Sequence, residues 1–340
     1  MARCTLASCR TKLVNPMLAH TPIWHHNKGG SRPFAMYLRA LYTLGQKTPL
    51  DAAAGYIGCG RDSAKNWYGM LKTALAFAEL HTGEETEFPP GALEFDGAKT
   101  VVKKASRSKN THCGRFIVCV HRETGKYSLQ PITDADVAKG APPPPESLKD
   151  ASAYMDKKVR PHHIISNDSA RGLVSAAKRE RKKKGVLFTY VVHSRHQYVK
   201  LLRIPLTRLS PAFRDVAATI SETNQRYFKF KAGSNMAEAT FSAIKRNIRR
   251  LNLQSSGSHA QVNALAAAWL QKNVGLEGVM KAIRIYQKTM ASKTSPLLAF
   301  KDLSWMKPEE HEDAALSDRA LVPFPQGTTG VSRKRPASGV

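Results

Sequence analysis

The run Ala92-Leu93-Glu94-Phe95-Asp96-Gly97 decides how the rest of the chain is read. Leu93 and Phe95 alternate with Glu94 and Asp96, the period of two that marks a short half-buried β-strand, with Asp96 within it or at its end. Downstream, Phe116 to His121 and Tyr127 to Ile132 flank Glu123-Thr124-Gly125-Lys126 and read as a β-hairpin. Pro142 to Pro145 form a rigid polyproline connector on the surface. Ser147 to Met155 read as helix, and His163-Ile164-Ile165 as a short strand ending in Ser166-Asn167-Asp168. Ala170 to Lys184 then read as helix and Val186 to Val192 as a β-branched strand. Strand, hairpin, helix, strand, helix, strand is the order of a mixed α/β sheet.

On the N-terminal side, Phe34, Tyr37, Leu38, Leu41 and Leu44 fall on one face at helical spacing. A second helix begins at Pro49 and runs to Tyr56. After Gly58 and Gly60, Asp62 stands as the N-cap of a third helix through Trp67, Leu71, Leu75 and Phe77. Two helices across a short Gly-containing turn make a helix-turn-helix candidate, presenting Arg61, Ser63, Lys65 and Asn66 where recognition helices read base edges. A plain helical hairpin with a solvated polar face is the alternative. On the C-terminal side the chain reads as predominantly helical after Pro205. Asn235 to Leu251 is amphipathic, with Ala237, Phe241, Ile244 and Ile248 inside, and Val262 to Leu270 and Leu276 to Met290 are two further helices. The expected division is a basic arm over 1–32, a helix-turn-helix domain over 33–82, an α/β domain over 91–255, C-terminal helices over 256–312 and a disordered basic tail over 313–340.

Charge narrows the partner. Among 340 residues, 53 Lys and Arg face 26 Asp and Glu, a net charge of +27, which favours a polyanion and above all nucleic acid. The 42% hydrophobic content supports a real core, and no apolar run approaches the length of a membrane span. Five scattered cysteines make no disulfide framework and point to a reducing compartment. Met1 to Leu50 hold no acid, the texture of a DNA-facing arm or of a transit peptide, although Pro16, Pro22 and Pro33 interrupt any long amphipathic helix there. Arg333-Lys334-Arg335-Pro336 in the tail resembles a nuclear-import signal, so the expected location is the nucleus in a eukaryote and otherwise the cytoplasm, on DNA.

In so cationic a chain the positions of the acids matter. Asp96 belongs to the first strand, Asp168 follows the second α/β strand, and Glu238 lies in the first turn of the basic helix. Neighbouring strands can bring the two aspartates together, and a helix across that edge can supply Glu238. Three converging carboxylates are hard oxygen ligands for a divalent ion, and two such ions activate a nucleophile and stabilise a leaving oxygen at a phosphodiester. Equally, Asp168 can cap the helix at Ala170, and Glu238 can favour a helix N-terminus.

These segments, taken together, resemble a known family. Leu93-Glu94-Phe95-Asp96-Gly97 resembles the first-acid strand of the DDE transposases of the ISXO-like insertion-sequence group, related to the Merlin elements. Ile164-Ile165-Ser166-Asn167-Asp168-Ser169 is similar to the second-acid segment, and Val191-Val192-His193-Ser194 to a short strand ending in histidine. Ser234-Asn235-Met236-Ala237-Glu238 with Phe241-Ser242-Ala243-Ile244-Lys245 is similar to the third-acid helix. The resemblance spans roughly Ala92 to Arg250, and it implies an RNase H-like catalytic core with a mixed five-stranded sheet. Asp96, Asp168 and Glu238 would hold two Mg²⁺ or Mn²⁺ ions. His193 would orient a phosphate or a water, and Asn235 would hydrogen-bond near Glu238. The implied reactions are nicking of DNA by water and strand transfer by a 3′-hydroxyl. The implied partners are double-stranded terminal-repeat and target DNA, with a homodimer on paired ends. Gly233 and Ala237 depart from the family pattern, where a polar and a larger apolar residue are expected.

Related transposases often begin with a zinc ribbon. Only Cys4 and Cys9 stand here, with His25 and His26 downstream, so a degenerate remnant without zinc is expected. His112, Cys113, Cys119 and His121 read as core and loop residues, with Cys113 in a loop. Lys99, Lys103 and Lys104 follow Asp96, and Lys245, Arg246, Arg249 and Arg250 follow Glu238, where a DNA backbone would pass. The basic run Lys178 to Lys184 lies apart from the acids. The competing expectation is a non-catalytic DNA-binding protein descended from such an element, in which the acids are relics.

Overall fold

The structure, a computed structural model, describes residues 34–102, 110–138, 141–192, 195, 197, 199–209, 211–220, 226–251 and 260–291. The N-terminal arm with its Cys and His residues, His193, Lys103, Lys104 and the basic tail lie outside them. Among the described residues no helix is long and apolar enough to cross a membrane.

Among the described residues three helices come first: α1 (Phe34–Gly45), α2 (Leu50–Ile57) and α3 (Arg61–Glu85). Strands β1 (Gly91–Val102), β2 (Asn110–His121) and β3 (Tyr127–Ala138) follow, then α4 (Leu148–Lys158), β4 (His163–Asn167), α5 (Arg171–Lys184) and β5 (Leu187–Tyr190). The remainder is β6 (Lys200–Pro205), a 3₁₀ turn, α6 (Pro211–Ile220), β7 (Tyr227–Ala232), α7 (Asn235–Arg250), α8 (Ala260–Lys272) and α9 (Gly275–Ala291). The first five strands form one mixed sheet in the order β3-β2-β1-β4-β5. β1 is antiparallel to β2 and parallel to β4, β2 is antiparallel to β3, and β4 is parallel to β5.

The alternation read from Leu93 to Asp96 is present, but β1 is the central strand and is covered on both sides. Leu93 and Phe95 pack with Tyr154 of α4 and Leu173 of α5. The opposite face, where Phe116, Val118 and Val120 of β2 point, is covered by α7 and α8. Glu94 is therefore wholly buried, not half-exposed. β1 also continues past Asp96, because β2 pairs with it as far as Val102↔His112. For the same reason Cys113 is a strand residue, not a loop residue. The hairpin turn falls where expected, with Gly125 in the left-handed region at φ 66°.

One further expectation is corrected. Gly60, not Asp62, is the N-cap of α3, and Asp62 sits inside its first turn. The chain after Pro205 is predominantly helical, as expected, and adds the strand β7, which pairs antiparallel with β6 in a separate two-stranded ribbon. The ribbon's inner residues Phe228, Phe230 and Ala232 pack with Phe213 of α6, Ala92 and Ile164. The N- and C-terminal helices share one core. Trp67, Leu71 and Phe77 of α3 pack in the same cluster as Leu265 and Trp269 of α8 and Ile283 of α9. Lys72 of α3, nearly buried, donates to Asn263 of α8 at 2.9 Å.

Candidate active site

The parallel register of β1 and β4 builds the site. Phe95 pairs with Asn167, so Asp96 and Asp168 follow paired residues at the same end of adjacent strands. α7 crosses that edge and carries Glu238 in its first turn. Its placement depends on two latches, one from each strand. Glu94, two residues before Asp96 and on the same strand face, accepts the backbone N–H groups of Met236 at 2.8 Å and Ala237 at 3.2 Å through Oε2. The first turn of a helix leaves such N–H groups without partners, and a carboxylate there also meets the positive end of the helix dipole. The other oxygen of Glu94 pairs with Arg122 at 2.8 Å. Ser166, two residues before Asp168, exchanges hydrogen bonds with Gly233. Its hydroxyl donates to the Gly233 carbonyl at 2.8 Å and accepts the Gly233 N–H at 3.0 Å. Ala237, wholly buried, stands at the close contact with Glu94. Gly233 and Ala237, the two positions that differ from the pattern the sequence resembles, thus fall at the two latches.

A cleft of about 430 Å³ opens over this edge. Asp96, Glu146 and Glu238 line it, together with the cations Lys99, Arg115 and Lys245. Burial and the nearby charges of Asp168, Glu238 and Glu146 push the Asp96 carboxyl up to about 8. Glu146 is pushed up as well, by burial first and then by Asp168, with Arg115 opposing. Four carboxylates are therefore electrostatic neighbours. Among the described residues no three His, Cys, Asp or Glu side chains are already drawn into a metal-ligand cluster. Their chemistry nonetheless suits a divalent ion: hard oxygen donors that repel one another could hold one, although Asp168 is not among the residues lining the cleft and a proton on Asp96 relieves the same crowding in its absence. Asp168 is not the cap of α5, whose N-cap is Ala170 with no side-chain capping bond; its carboxylate accepts the Ala170 N–H at 3.0 Å in the turn before the helix. Ser234 donates to Glu238 at 3.3 Å, and Asn235 is exposed at the start of α7.

The cations sort less uniformly. Lys99 and Lys245 reach the cleft, while Arg246, Arg249 and Arg250 are exposed along the outer side of α7. Burial, then Lys99 and Arg249, push the Lys245 ammonium down, and Asp96 opposes them. On α3, Arg61 is exposed and paired with Asp51 at 2.5 Å, and Lys65 is half-buried. His112 is held between Asp134 and Asp136 at 3.0 Å each, and His121 lies 2.9 Å from the Thr124 hydroxyl and 3.3 Å from the Pro90 carbonyl.

Neither protein-family models nor curated proteins match this chain. The site must be read from its own residues. Three of them, Glu94, Ser166 and Glu146, stand outside the acids that the sequence motifs single out. Glu94 and Ser166 carry a signal, because each lies two residues before an acid and so on its face of the strand. Glu146 carries none. It reaches the cleft because Gly97 and Gly172 have no Cβ, where one would meet the carboxylate and the backbone carbonyl of Glu146 respectively.

Proposed function

We propose that this protein is a DDE-type DNA transposase with an RNase H-like core, cutting DNA at transposon ends and joining it to a target. The observation that carries the reading is that the charges of Asp168 and Glu238 both reach Asp96 at one end of the sheet, in a sequence setting that resembles the family motifs. The mixed five-stranded sheet with helices on both faces is compatible with that core.

Asp96, Asp168 and Glu238 would hold Mg²⁺ or Mn²⁺, which when bound supplies nucleophile activation and charge stabilisation at a phosphodiester. The residues of the chain do the rest. The strand-borne acids are fixed by the sheet, and Glu94 and Ser166 fix the helix that brings the third. Lys99 and Lys245 stand at the cleft where a phosphate oxygen would arrive, and Arg246, Arg249 and Arg250 extend the positive surface along α7. The turn from α2 to α3 would present Arg61, Lys65 and Asn66 to the duplex as a helix-turn-helix. Two copies on paired ends would complete the assembly.

The test is a nicking assay with the purified chain on duplexes carrying the DNA that flanks its coding sequence. Mg²⁺- or Mn²⁺-dependent cleavage is expected, abolished in Asp96→Asn while DNA binding is kept. Tight, specific binding by the intact protein with no cleavage under either metal would instead support the non-catalytic DNA-binding descendant.

A further inference from the structure

The ribbon of β6 and β7 has two unlike faces. Its inner residues are apolar and buried against α6 and the sheet. Its outer face follows from the register, in which Leu201 stands opposite Lys231, Arg203 opposite Lys229 and Pro205 opposite Tyr227. Neither strand contains an acid. Arg203 and Lys229, both exposed, are like charges directly across a strand pair, an arrangement that destabilises a sheet. The same face exposes Leu201 at 56% and Tyr227 at 49%. Its charge placement and its uncovered apolar groups both oppose folding in isolation, and an anionic polymer with apolar sugar edges would relieve both.

The ribbon is also fixed in relation to the acids. Arg122 donates to the Lys231 carbonyl, lies over the Phe230 ring at 5.3 Å, and pairs with Glu94, the residue that holds the start of α7. β7 itself ends at Ala232, three residues before α7 begins. The cations of the ribbon are thus mechanically tied to the helix that carries Glu238.

We infer that the outer face of the β6–β7 ribbon is a docking surface for the phosphate backbone of duplex DNA, with Arg203, Lys229 and Lys231 reaching the phosphates. This rests on the DNA reading above and adds to it a surface outside the cleft. The contact is assigned to phosphates, since an acid-free cationic face neutralises backbone charge, and it should therefore not depend on base sequence. It holds the flanking duplex while the cleft acts on the strand.

The experiment is a fluorescence-anisotropy titration of the full chain against a labelled 30-base-pair duplex across a series of NaCl concentrations. It compares the wild type with an Arg203→Gln, Lys229→Gln, Lys231→Gln triple variant. A control, Lys178→Gln, Arg181→Gln, Lys182→Gln, removes the same charge from exposed positions of α5, which covers the other face of the sheet. Removing one cation that neutralises a phosphate lowers the slope of log K against log salt by about 0.9, so the ribbon variant should drop by about two to three in slope, equally on unrelated sequences. The control should drop by less than about one. Equal changes in the two variants, with wild-type binding intact, would overturn the ribbon assignment and leave the DNA reading standing. A wild type with no salt-dependent duplex binding would remove both. Thermal unfolding of each variant checks the fold, which six exposed side chains should not disturb.

Discussion

Replacing Asp96 by Asn should make the metal-free protein more stable, although it removes the residue most central to the proposed chemistry. The folded carboxyl stands at about 8 against an ordinary 3.8, because burial and three neighbouring carboxylates disfavour its ionised form. The sign follows from proton counting. Between those two values the folded chain holds a proton that the unfolded chain has lost, so stability falls as pH rises through the window. At pH 7 the formal loss is about 4 kcal/mol, from about 1.4 kcal/mol for each pH interval above the unfolded value. Water and salt in the open cleft screen the charges, which brings the expected gain in Asp96→Asn to about 1–2 kcal/mol. That is roughly 2–4 °C in a chain of this size. The assay is calorimetry in EDTA at pH 7 and again near pH 4, where both forms are neutral and the advantage should vanish. Added Mg²⁺ should then raise the wild-type melting temperature more than that of the variant. A destabilised variant at pH 7 in EDTA, or an advantage unchanged at pH 4, would show that the carboxylates are not crowded as described.

Two further variants test the scaffold around the site. Glu94→Ala strips two helix N–H groups of their acceptor and Arg122 of its partner, and should cost about 3–5 kcal/mol in urea unfolding; a loss under about 1 kcal/mol would mean that α7 is held by something else. His163, wholly buried at the head of β4, accepts the Arg160 N–H at 2.9 Å on one nitrogen and lies 2.9 Å from the Pro89 carbonyl on the other, and burial pushes it down to about 4. Its unfolded value is higher, so it contributes stability above about 6.5 that is lost as pH falls toward 4, about 3 kcal/mol at most. Urea unfolding at pH 7 and pH 4 should show a smaller acid loss in His163→Leu than in the wild type, and equal losses would refute the assignment.

Periodicity made the five-stranded sheet and α7 legible, because each of those segments buries side chains at the spacing of its own element. Phe241, Ile244 and Ile248 could be placed inside α7 from the sequence for that reason. Periodicity does not say what covers a face. Glu94 therefore read as a solvent-side residue of β1, although α7 and α8 bury it. The run Gly97-Ala98-Lys99 has the texture of a loop, and it is a strand only because β2 pairs with it. Tyr227 to Ala232 alternates clearly, but no turn signal joins it to Lys200–Pro205, its partner across α6, so the ribbon could not be assembled locally. Glu146 was beyond reach altogether, since its access to the cleft depends on two distant glycines.

The charge arrangement also bears on how a chain of +27 can keep an anionic centre. If Lys99 and Lys245 neutralised the acids, Asp96 would sit at or below its ordinary value. It is held well above it, and Lys245 is itself pushed down by burial and by other cations, so the rim does not quench the interior. Rim and interior therefore suit different ligands. Under the proposed function a DNA phosphate would meet the half-buried Lys99 and Lys245 and the exposed arginines of α7, while the crowded carboxylates beneath would take a small, hard ion. The mechanical design follows the same division. Asp96 and Asp168 are set by strand register, whereas Glu238 depends on a helix held by Glu94 and Ser166. Loosening either latch should therefore displace the third acid and leave the first two in place, and under the proposed function such a variant would bind DNA without cutting it.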